Sequence, residues 1–380
     1  MAVSFSAGSQ RILEQYFRDH VFLAMITSSL IGLKITNMER SLHPGEAISI
    51  GKLTCLTSLR LHLREDMEPR FLLPFGNMSR LSDLTNLREL RLRSGNFPTG
   101  GQNFHESLSQ LKQLTFLGLS NVLPFPSASS EGEIINPPAI CRLTQLQHLM
   151  IGFDAQTTIT LPFGQLTLPS GLTALKLSRV TLQGHTDTLA YLPKLQWLYL
   201  HRFDLSRPDL EGPRFHMILA MATQLKHGLF TLKRAAALKL ELTCLHPLSG
   251  LQSLCLQANI SNLPIFPTWA GLTSLNVSNN LLHSVPHSLS VLTNLQKLDL
   301  RNQKGGLQVH DGTFLQALPR LVICKLRIAA VPQAGGEVPA LDYAYEWTPM
   351  SMYCLLRAQQ GVALRFEQGW PLHPTTGLLF

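Results

Sequence analysis

Membrane-spanning runs, paired cysteines and catalytic motifs are all lacking in this sequence of 380 residues. The uncharged stretch from Val21 to Leu33 has 13 residues, which is too short to cross a bilayer. It also begins late for a signal peptide, and the residues before it include Glu14 and Asp19 rather than a basic cluster. We therefore expect no membrane span and interpret residues 1–28 as an N-terminal capping segment.

The cysteines lack the spacings that bind zinc or form a redox centre. There are six of them, at Cys55, Cys141, Cys244, Cys255, Cys324 and Cys354. No two have C-x-x-C spacing, and they are spread along the chain rather than clustered at its ends. This distribution favours reduced, mostly buried thiols, so the prediction is a cytoplasmic protein.

Two segments resemble catalytic motifs only superficially. Between Gly45 and Gly51-Lys52 there are five residues instead of the four of a phosphate-binding loop, and Leu53 replaces the hydroxyl residue that would hold magnesium. His105-Glu106 lacks the second histidine of a zinc-protease helix. The sequence therefore predicts no enzyme, no catalytic residue, no cofactor and no metal.

The composition favours burial over charge. Hydrophobic residues make up 45% of the chain and charged residues 15%, while Lys and Arg exceed Asp and Glu by 32 to 24, a net charge of +8. A chain of this length exceeds one ordinary core, but a repeat array escapes that limit because each unit packs only on its neighbours. The basic surplus makes an acidic partner plausible.

The pattern L-x-x-L-x-L recurs along most of the chain. Its clearest copy runs from Leu272 through Leu275 and Val277 to Asn280 and Leu282, and the next copy begins 23 residues later. Eleven copies begin at Leu30, Leu56, Leu87, Leu114, Leu146, Leu172, Leu195, Leu251, Leu272, Leu295 and Leu321. Alternation of leucines indicates a strand with one buried side, which stacking on neighbouring repeats can cover.

This pattern resembles the leucine-rich-repeat consensus L-x-x-L-x-L-x-x-N-x-L, and the repeats resemble those of plant and algal intracellular proteins. The resemblance covers residues 29–330 and implies an α/β solenoid, a horseshoe with a parallel sheet on its concave face and an irregular or helical convex side. The consensus asparagine commonly forms a hydrogen-bonded ladder between repeats. Only Asn259 and Asn280 occupy its position, whereas Gln303 and other residues depart from it.

Residues 203–245 are the least regular part of the array. Apolar residues with helical spacing, from Phe215 through Leu225, predict a helix over 215–233, so we expect a helical insertion near 206–233. A further motif at Ala235-x-x-Leu238-x-Leu240 begins only 16 residues before the next copy, and the prediction is one distorted repeat. The array of about eleven or twelve repeats ends near residue 330. Residues 331–380, which contain several tyrosines and tryptophans, are predicted to form a C-terminal cap.

The residues flanking the last leucine of each L-x-x-L-x-L motif are expected to point outward on the concave face. Of these 22 positions, eight are basic and one, Asp299, is acidic. The basic ones are Lys34, Arg60, Arg91, Arg93, Lys176, Arg301, Lys325 and Arg327. The candidate partner-binding residues are Arg60, His62, Arg91, Arg93, Lys176, Arg179, Trp197, Tyr199, His201, Arg202, Arg301, Lys325 and Arg327, which include the aromatic and basic types that anchor interfaces.

These observations predict a non-enzymatic protein–protein interaction module that binds another protein, with an acidic surface, through a basic concave face. The competing interpretation of the basic positions is ordinary solvated surface. Nucleic acid is disfavoured, because it would need a denser basic stripe. The resemblance leaves two other functions open. One is a scaffold of a cytoskeletal or ciliary assembly, which would place the protein in the cytoskeleton or a ciliary axoneme. The other is the sensor portion of a plant-type immune or ubiquitin-ligase receptor.

Overall fold

The computed structural model describes the strands and turns of the repeats and part of their connections. The described residues are 2–5, 29–38, 50–63, 80–93, 102–120, 140–152, 159–162, 168–183, 192–204, 224–233, 246, 248–263, 265, 267–304, 307 and 313–325. The chain divides into two compact units, Met1–Gln224 and Leu225–Phe380. The predicted C-terminal cap at 331–380 and the motif at Ala235 lie outside the described residues.

The first unit is built on a parallel sheet whose strands follow the repeats. Its described strands are β1 Ala2–Phe5, β2 Gly32–Met38, β3 Ser58–Leu63, β4 Glu89–Arg93, β5 Phe116–Ser120, β6 His148–Gly152, β7 Ile159–Pro162, β8 Ala174–Ser178, β9 Val180–Gln183 and β10 Trp197–Asp204. The sheet order is β1-β2-β3-β4-β5-β6-β8-β10, while β7 and β9 form a separate parallel pair. Among the described residues of this unit, a helix, α1, spans Gln102–Gln110.

The second unit has the same construction with shorter strands. Its described strands are β11 His227–Lys233, β12 Ser253–Gln257, β13 Ser274–Asn276, β14 Lys297–Asp299 and β15 Ile323–Lys325, paired in that order and parallel. On the connecting side lie two 3₁₀ helices, Pro267–Gly271 and His287–Val291, and a short helix, α2, Thr313–Gln316. Eleven strands of the two units lie at the eleven predicted repeats, so the predicted solenoid of leucine-rich repeats with a parallel sheet is confirmed.

The inward leucines form rows in strict register. In the first unit Leu33 pairs with Leu59, Leu59 with Leu90 and Leu90 with Leu117 across successive strands. The first leucines of the motifs are equally buried; Leu87 and Leu114 have no exposed surface. Since burying a leucine side chain is worth roughly 1.5–3 kcal/mol, these rows supply the main stabilisation of each repeat.

Each repeat also contains a tight turn that the sequence analysis did not use. The amide of Leu56 donates to the carbonyl of Leu53 at 2.9 Å, and the amide of Leu87 donates to Leu84 at 2.9 Å. An apolar residue three positions before the motif is buried in nearly every described repeat, as Leu53 and Leu84 show. The repeat is therefore better written L-x-x-L-x-x-L-x-L, and the added leucine anchors the turn into the strand.

The asparagine ladder in the second unit follows the prediction at Asn280 and departs from it at Gln303 and Asn259. Asn280 is fully buried; its Oδ1 accepts from the amides of Ala258 at 2.9 Å and Ile260 at 3.2 Å, and its Nδ2 donates to the carbonyls of Leu256 and Val277 at 2.8 and 2.7 Å. This rung of the ladder is the predicted one.

Gln303, interpreted as a departure, forms the next rung. Its Nε2 donates to the carbonyls of Val277 and Leu300 at 2.9 and 3.0 Å, and its Oε1 accepts from the amide of Leu282 at 3.1 Å. The longer amide side chain reaches the same backbone groups, so the departure at Gln303 is one of residue type and not of function.

Asn259, by contrast, was predicted to occupy the ladder and does not. It is half-buried, with φ 52°, and its Oδ1 accepts from Lys304 Nζ at 2.7 Å. In the next two repeats the residue with a left-handed backbone is Asn279 or Asn302, which stands one position earlier in its motif than Asn259 does. The repeat at Leu251 is therefore one residue longer at this turn, which moves Asn259 out of the core.

The predicted helix over 215–233 is wrong at its C-terminal end, because His227–Lys233 is strand β11. Gly228 and Phe230 stand in register with Leu254 and Leu256, so they occupy the two inward leucine positions of an unrecognised repeat beginning at Leu225. A Cβ built on Gly228 would come within 2.7 Å of Phe230 Cε2, so the Phe230 ring occupies the space of the missing leucine. Residues 206–223 lie outside the described residues.

The N-terminal segment contributes a strand that was not predicted. Ala2–Phe5 pairs in parallel with β2, with Ala2 opposite Gly32. A Cβ at Gly32 would meet the Cβ of Ala2 at 3.2 Å. The first strand of the sheet thus comes from a stretch without the leucine motif.

Candidate functional site: the exposed sheet face of the first unit

Three rows of outward residues cross strands β3, β4, β5, β6, β8 and β10. The register defines them. The first row is Ser58, Glu89, Phe116, His148, Ala174 and Trp197; the middle row is Arg60, Arg91, Gly118, Met150, Lys176 and Tyr199; the third row is His62, Arg93, Ser120, Gly152, Ser178 and His201. Those predicted partner-binding residues that belong to the rows lie in the middle and third rows, except Trp197, which lies in the first.

The first row contains the carboxylate that neutralises part of the predicted basic surface. Glu89 Oε2 accepts from Arg60 Nη2 at 2.8 Å and from Ser58 Oγ at 2.8 Å, and Oε1 accepts from Arg91 Nε at 2.5 Å. Partial burial alone would raise the pKa of Glu89. The hydrogen bonds from Arg60, Ser58 and Arg91, with the charge of Arg91, outweigh it and hold the pKa below its ordinary value of 4.5.

Replacing Glu89 with Gln should therefore have opposite effects on stability and on binding. The folded-state pKa is lowered, so the stabilisation by the carboxylate is present above the unfolded pKa and lost as the pH falls through the folded pKa. Since both arginine side chains are more than two-fifths exposed, we expect a cost below about 1 kcal/mol at pH 7. Urea unfolding of both proteins at pH 7 and at pH 3 measures the difference, which should shrink at pH 3.

The same substitution should strengthen the binding of an acidic ligand several-fold, because it removes a competing carboxylate from Arg60 and Arg91. Ser58→Ala is the matched control, since it removes one hydrogen bond to Glu89 and leaves the charge unchanged. Equal affinity of wild type and Glu89→Gln would mean that the two arginines do not face the ligand.

A stack of planar groups follows Glu89 across the first and middle rows. The Arg91 guanidinium carbon lies 4.0 Å from the centre of the Phe116 ring, and the Phe116 and His148 rings stack with centroids 5.7 Å apart at 24°. A Cβ at Gly118 would lie 3.2 Å from the Phe116 ring and 3.5 Å from Arg91 Cγ. Glycine at this position therefore lets the arginine and the ring lie close to the sheet, where cation–π attraction adds to their contact.

Strands β8 and β10 carry the second group of predicted residues. Trp197 is 42% exposed, and Tyr199 and Lys176 stand in register beside each other. Arg179 follows β8 and Arg202 lies within β10, and both have left-handed backbones, φ 57° and 50°. The Arg179 amide donates to the carbonyl of His201 at 2.8 Å, which ties the residue after β8 to strand β10.

His201 lies among these cations. Burial lowers its pKa below the ordinary value of 6.5, and the positive charges of Arg202, Arg179 and Lys176 lower it further. The imidazole is therefore held in its neutral form at pH 7, where it can both donate and accept a hydrogen bond. Three cations, Arg202, Arg179 and Lys176, are thus close enough to His201 to act on its pKa.

The structure therefore gathers the candidates of the first unit into two groups rather than one continuous basic surface. Arg60, Arg91 and Arg93, with His62, form the arginine cluster on β3 and β4. The β8–β10 cluster comprises Lys176, Arg179, Trp197, Tyr199, His201 and Arg202. Between them, the outward residues of β5 and β6 include no lysine, arginine, aspartate or glutamate, and three of them are the small residues Gly118, Ser120 and Gly152.

The remaining candidates belong to the second unit. Arg301 forms an ion pair with Asp299, with Nη2 and Oδ2 2.7 Å apart, so its charge is partly compensated. Lys325 lies on β15, in register with Asp299, and Arg327 lies outside the described residues. Four cysteines are described, all free; burial raises the pKa of Cys255 to about 11 and that of Cys324 to about 12, so both thiols are protonated at neutral pH.

In the part of the chain that the structure describes, no group of three or more His, Cys, Asp or Glu side chains is placed to hold a metal ion. No helix among the described residues combines the length and apolar character needed to cross a membrane.

Neither a protein-family model nor a curated protein matches the chain. Among solved structures it is similar to the functional domain of InlJ from Listeria monocytogenes, with 16% identity and a TM-score of 0.49, covering 82% of this chain and 62% of that one. It is similar to a leucine-rich-repeat protein of Leptospira interrogans, with 20% identity, a TM-score of 0.44 and 78% of each chain covered. It is also similar to TLR13 in complex with ssRNA13, with 18% identity, a TM-score of 0.46 and coverage of 90% and 54%. The chain thus spans less than two thirds of the InlJ and TLR13 chains.

Proposed function

We propose that this protein is a non-enzymatic interaction module that binds an acidic partner protein on the exposed sheet face of its first unit. One observation carries the proposal. The arginine cluster and the β8–β10 cluster stand on the same sheet face, in register, and Glu89 is the one carboxylate in the three rows between Ser58 and His201.

The proposed interface has the chemistry that protein recognition uses. Exposed arginines and a lysine attract carboxylates over several ångströms and raise the rate of association. Trp197 and Tyr199 offer large, rigid contact area at low entropic cost, and such residues commonly dominate binding energy. The outward residues of β5 and β6 include no lysine, arginine, aspartate or glutamate, so a partner could contact both clusters without burying an unpaired side chain of these types between them.

A protein partner agrees with these residues better than a nucleic acid does. Two of the cluster's arginines already share Glu89, and the middle of the face lacks positive charge, whereas nucleic acid binding needs a near-continuous basic stripe. The scaffold and receptor-sensor functions remain predictions from the repeat resemblance. No described residue favours either of them over a general interaction module.

Charge reversal tests the proposal directly. We would compare wild type with Arg93→Glu/Lys176→Glu/Arg202→Glu in affinity capture from lysate at low and high salt, identifying captured proteins by mass spectrometry. These positions avoid Arg60 and Arg91, whose reversal would set new carboxylates beside Glu89. Capture of an acidic protein should fall at least about tenfold in the variant and in high salt.

The matched control reverses three exposed basic residues of the same unit that lie in the turns before the strands, Lys112→Glu/Arg142→Glu/Lys194→Glu. It changes the net charge by the same amount and leaves the sheet face intact. Loss of the partner in both triple variants would mean that capture depends on the net charge of the protein and not on the sheet face. Retention in both would place the interface elsewhere.

A further inference from the structure

We infer that the β8–β10 cluster is the docking site for an extended acidic peptide segment of the partner, whose apolar side chain enters a notch above Ala174. This inference rests on the proposed function and specifies what the partner presents. Its evidence comes from the first row, which the basic pattern of the sequence did not include.

The notch arises from one small residue between larger ones. Along the first row, His148, Ala174 and Trp197 stand side by side in register on β6, β8 and β10. Adjacent strands lie about 4.8 Å apart, so the backbones at His148 and Trp197 are separated by about 10 Å with only a methyl group between them. Ala174 is half-buried, which leaves its methyl accessible from the exposed side.

Both walls of the notch are aromatic, and they differ in exposure. The His148 ring is held by its stack on Phe116, at 5.7 Å between centroids. Trp197, on the other wall, keeps 42% of its surface exposed, an unusual fraction for tryptophan in a chain with a well-buried core. A leucine, methionine or aromatic side chain lying over Ala174 would cover the exposed indole and contact the imidazole edge.

Positive charge follows the notch along the same two strands. Two residues beyond Ala174 comes Lys176, five beyond comes Arg179, and Arg202 occupies the equivalent position within β10, five residues beyond Trp197. The three rows on β6, β8 and β10 contain no acidic residue. At about 3.3 Å per extended residue, these cations lie about 7 to 17 Å from the notch. Charge complementarity therefore selects a peptide with carboxylates two to five residues from its apolar anchor.

The backbone at this end of the strands supports a binding role for the arginines. In the second unit the corresponding left-handed position is asparagine, at Asn279 and Asn302, as that conformation favours. In two successive repeats of the first unit it is Arg179 and Arg202, where a left-handed backbone costs about 1–2 kcal/mol. Strained residues of this kind concentrate at functional sites, and here both carry the charge that the proposed ligand needs.

Selection from a random heptapeptide display library on the full chain provides the probe. We expect enriched peptides to combine one large apolar residue with carboxylates two to five positions away. Ala174→Phe fills the notch, and phenylalanine is well tolerated on an exposed strand face, so this variant should weaken the labelled consensus peptide at least about tenfold in fluorescence anisotropy. Ser120→Phe, the same added ring on β5, should bind within about twofold of wild type.

Trp197→Ala provides a second test that does not depend on tolerating the added ring, and it should weaken the peptide to a similar extent. The outcomes separate the two proposals. Peptide binding that is unchanged by Ala174→Phe and by Trp197→Ala, but lost in Arg93→Glu/Lys176→Glu/Arg202→Glu, would overturn the notch. It would leave the proposed binding of an acidic partner standing. Failure to enrich acidic peptides, or tighter binding of a labelled oligouridylate than of any selected peptide, would overturn both.

Discussion

Replacing Asn280 with Ala should lower the free energy of unfolding by about 3 kcal/mol or more. The Asn280 side chain is fully buried and satisfies two backbone amides and two carbonyls in adjacent repeats. Alanine would remove this hydrogen-bond partner from the amides of Ala258 and Ile260 and from the carbonyl of Leu256, whereas the carbonyl of Val277 keeps the hydrogen bond from Gln303 Nε2. Each buried group left unsatisfied costs roughly 1–3 kcal/mol. Urea unfolding followed by far-ultraviolet circular dichroism measures the change.

Asn259→Ala is the matched control for this ladder residue. It removes the same side chain from the previous repeat, where Asn259 is half-buried and bonded to the exposed Lys304. We expect a cost below about 1 kcal/mol there, including the loss of a residue that tolerates the left-handed backbone. Equal destabilisation by the two substitutions would show that the ladder passes through Asn259 after all.

Gly228→Leu, which restores the repeat consensus, should destabilise the protein rather than stabilise it. Phe230 fills the space that a leucine at position 228 would occupy, since even a Cβ there would lie 2.7 Å from the Phe230 ring. Both residues belong to the core, and Phe230 has no exposed surface. Overpacking of such a site costs about 1–3 kcal/mol, and the added isobutyl group places this substitution at the upper end.

The double variant Gly228→Leu/Phe230→Leu should recover most of the lost stability, because it reproduces the pair of leucines found at Leu254 and Leu256 in the next repeat. Thermal unfolding of the wild type, both single variants and the double variant gives the coupling between the two positions. Additive effects, without rescue in the double variant, would contradict the packing of Phe230 over Gly228.

Leucine periodicity was sufficient to predict the fold and the positions of eleven strands, because the inward rows depend on residues that repeat. Strand β11 escaped this reasoning because its two inward positions hold Gly228 and Phe230, and the apolar residues before it are spaced like a helix. The first strand was missed for a similar reason, since Ala2–Phe5 gains its place through backbone pairing with β2 and not through leucines.

The candidate site was predicted less completely than the fold. Spacing assigned Arg60 and Arg91 to the exposed face correctly, but it could not show that Glu89, two residues before Arg91, binds both of them. The contact between Arg60 and Glu89 joins adjacent strands across 29 residues of sequence, and it depends on the register of β3 with β4. A count of all three outward rows, rather than two, would have found Glu89 and the aromatic residues beside it.

Hydroxyl-radical footprinting with and without a captured acidic partner tests the proposed interface most directly, because it reports on oxidisable side chains of the exposed face itself. Binding at the proposed surface should protect Trp197, Tyr199 and Met150 together, and Arg93→Glu/Lys176→Glu/Arg202→Glu should abolish that protection. Unchanged oxidation of all three residues in a saturated complex would contradict binding at this sheet face.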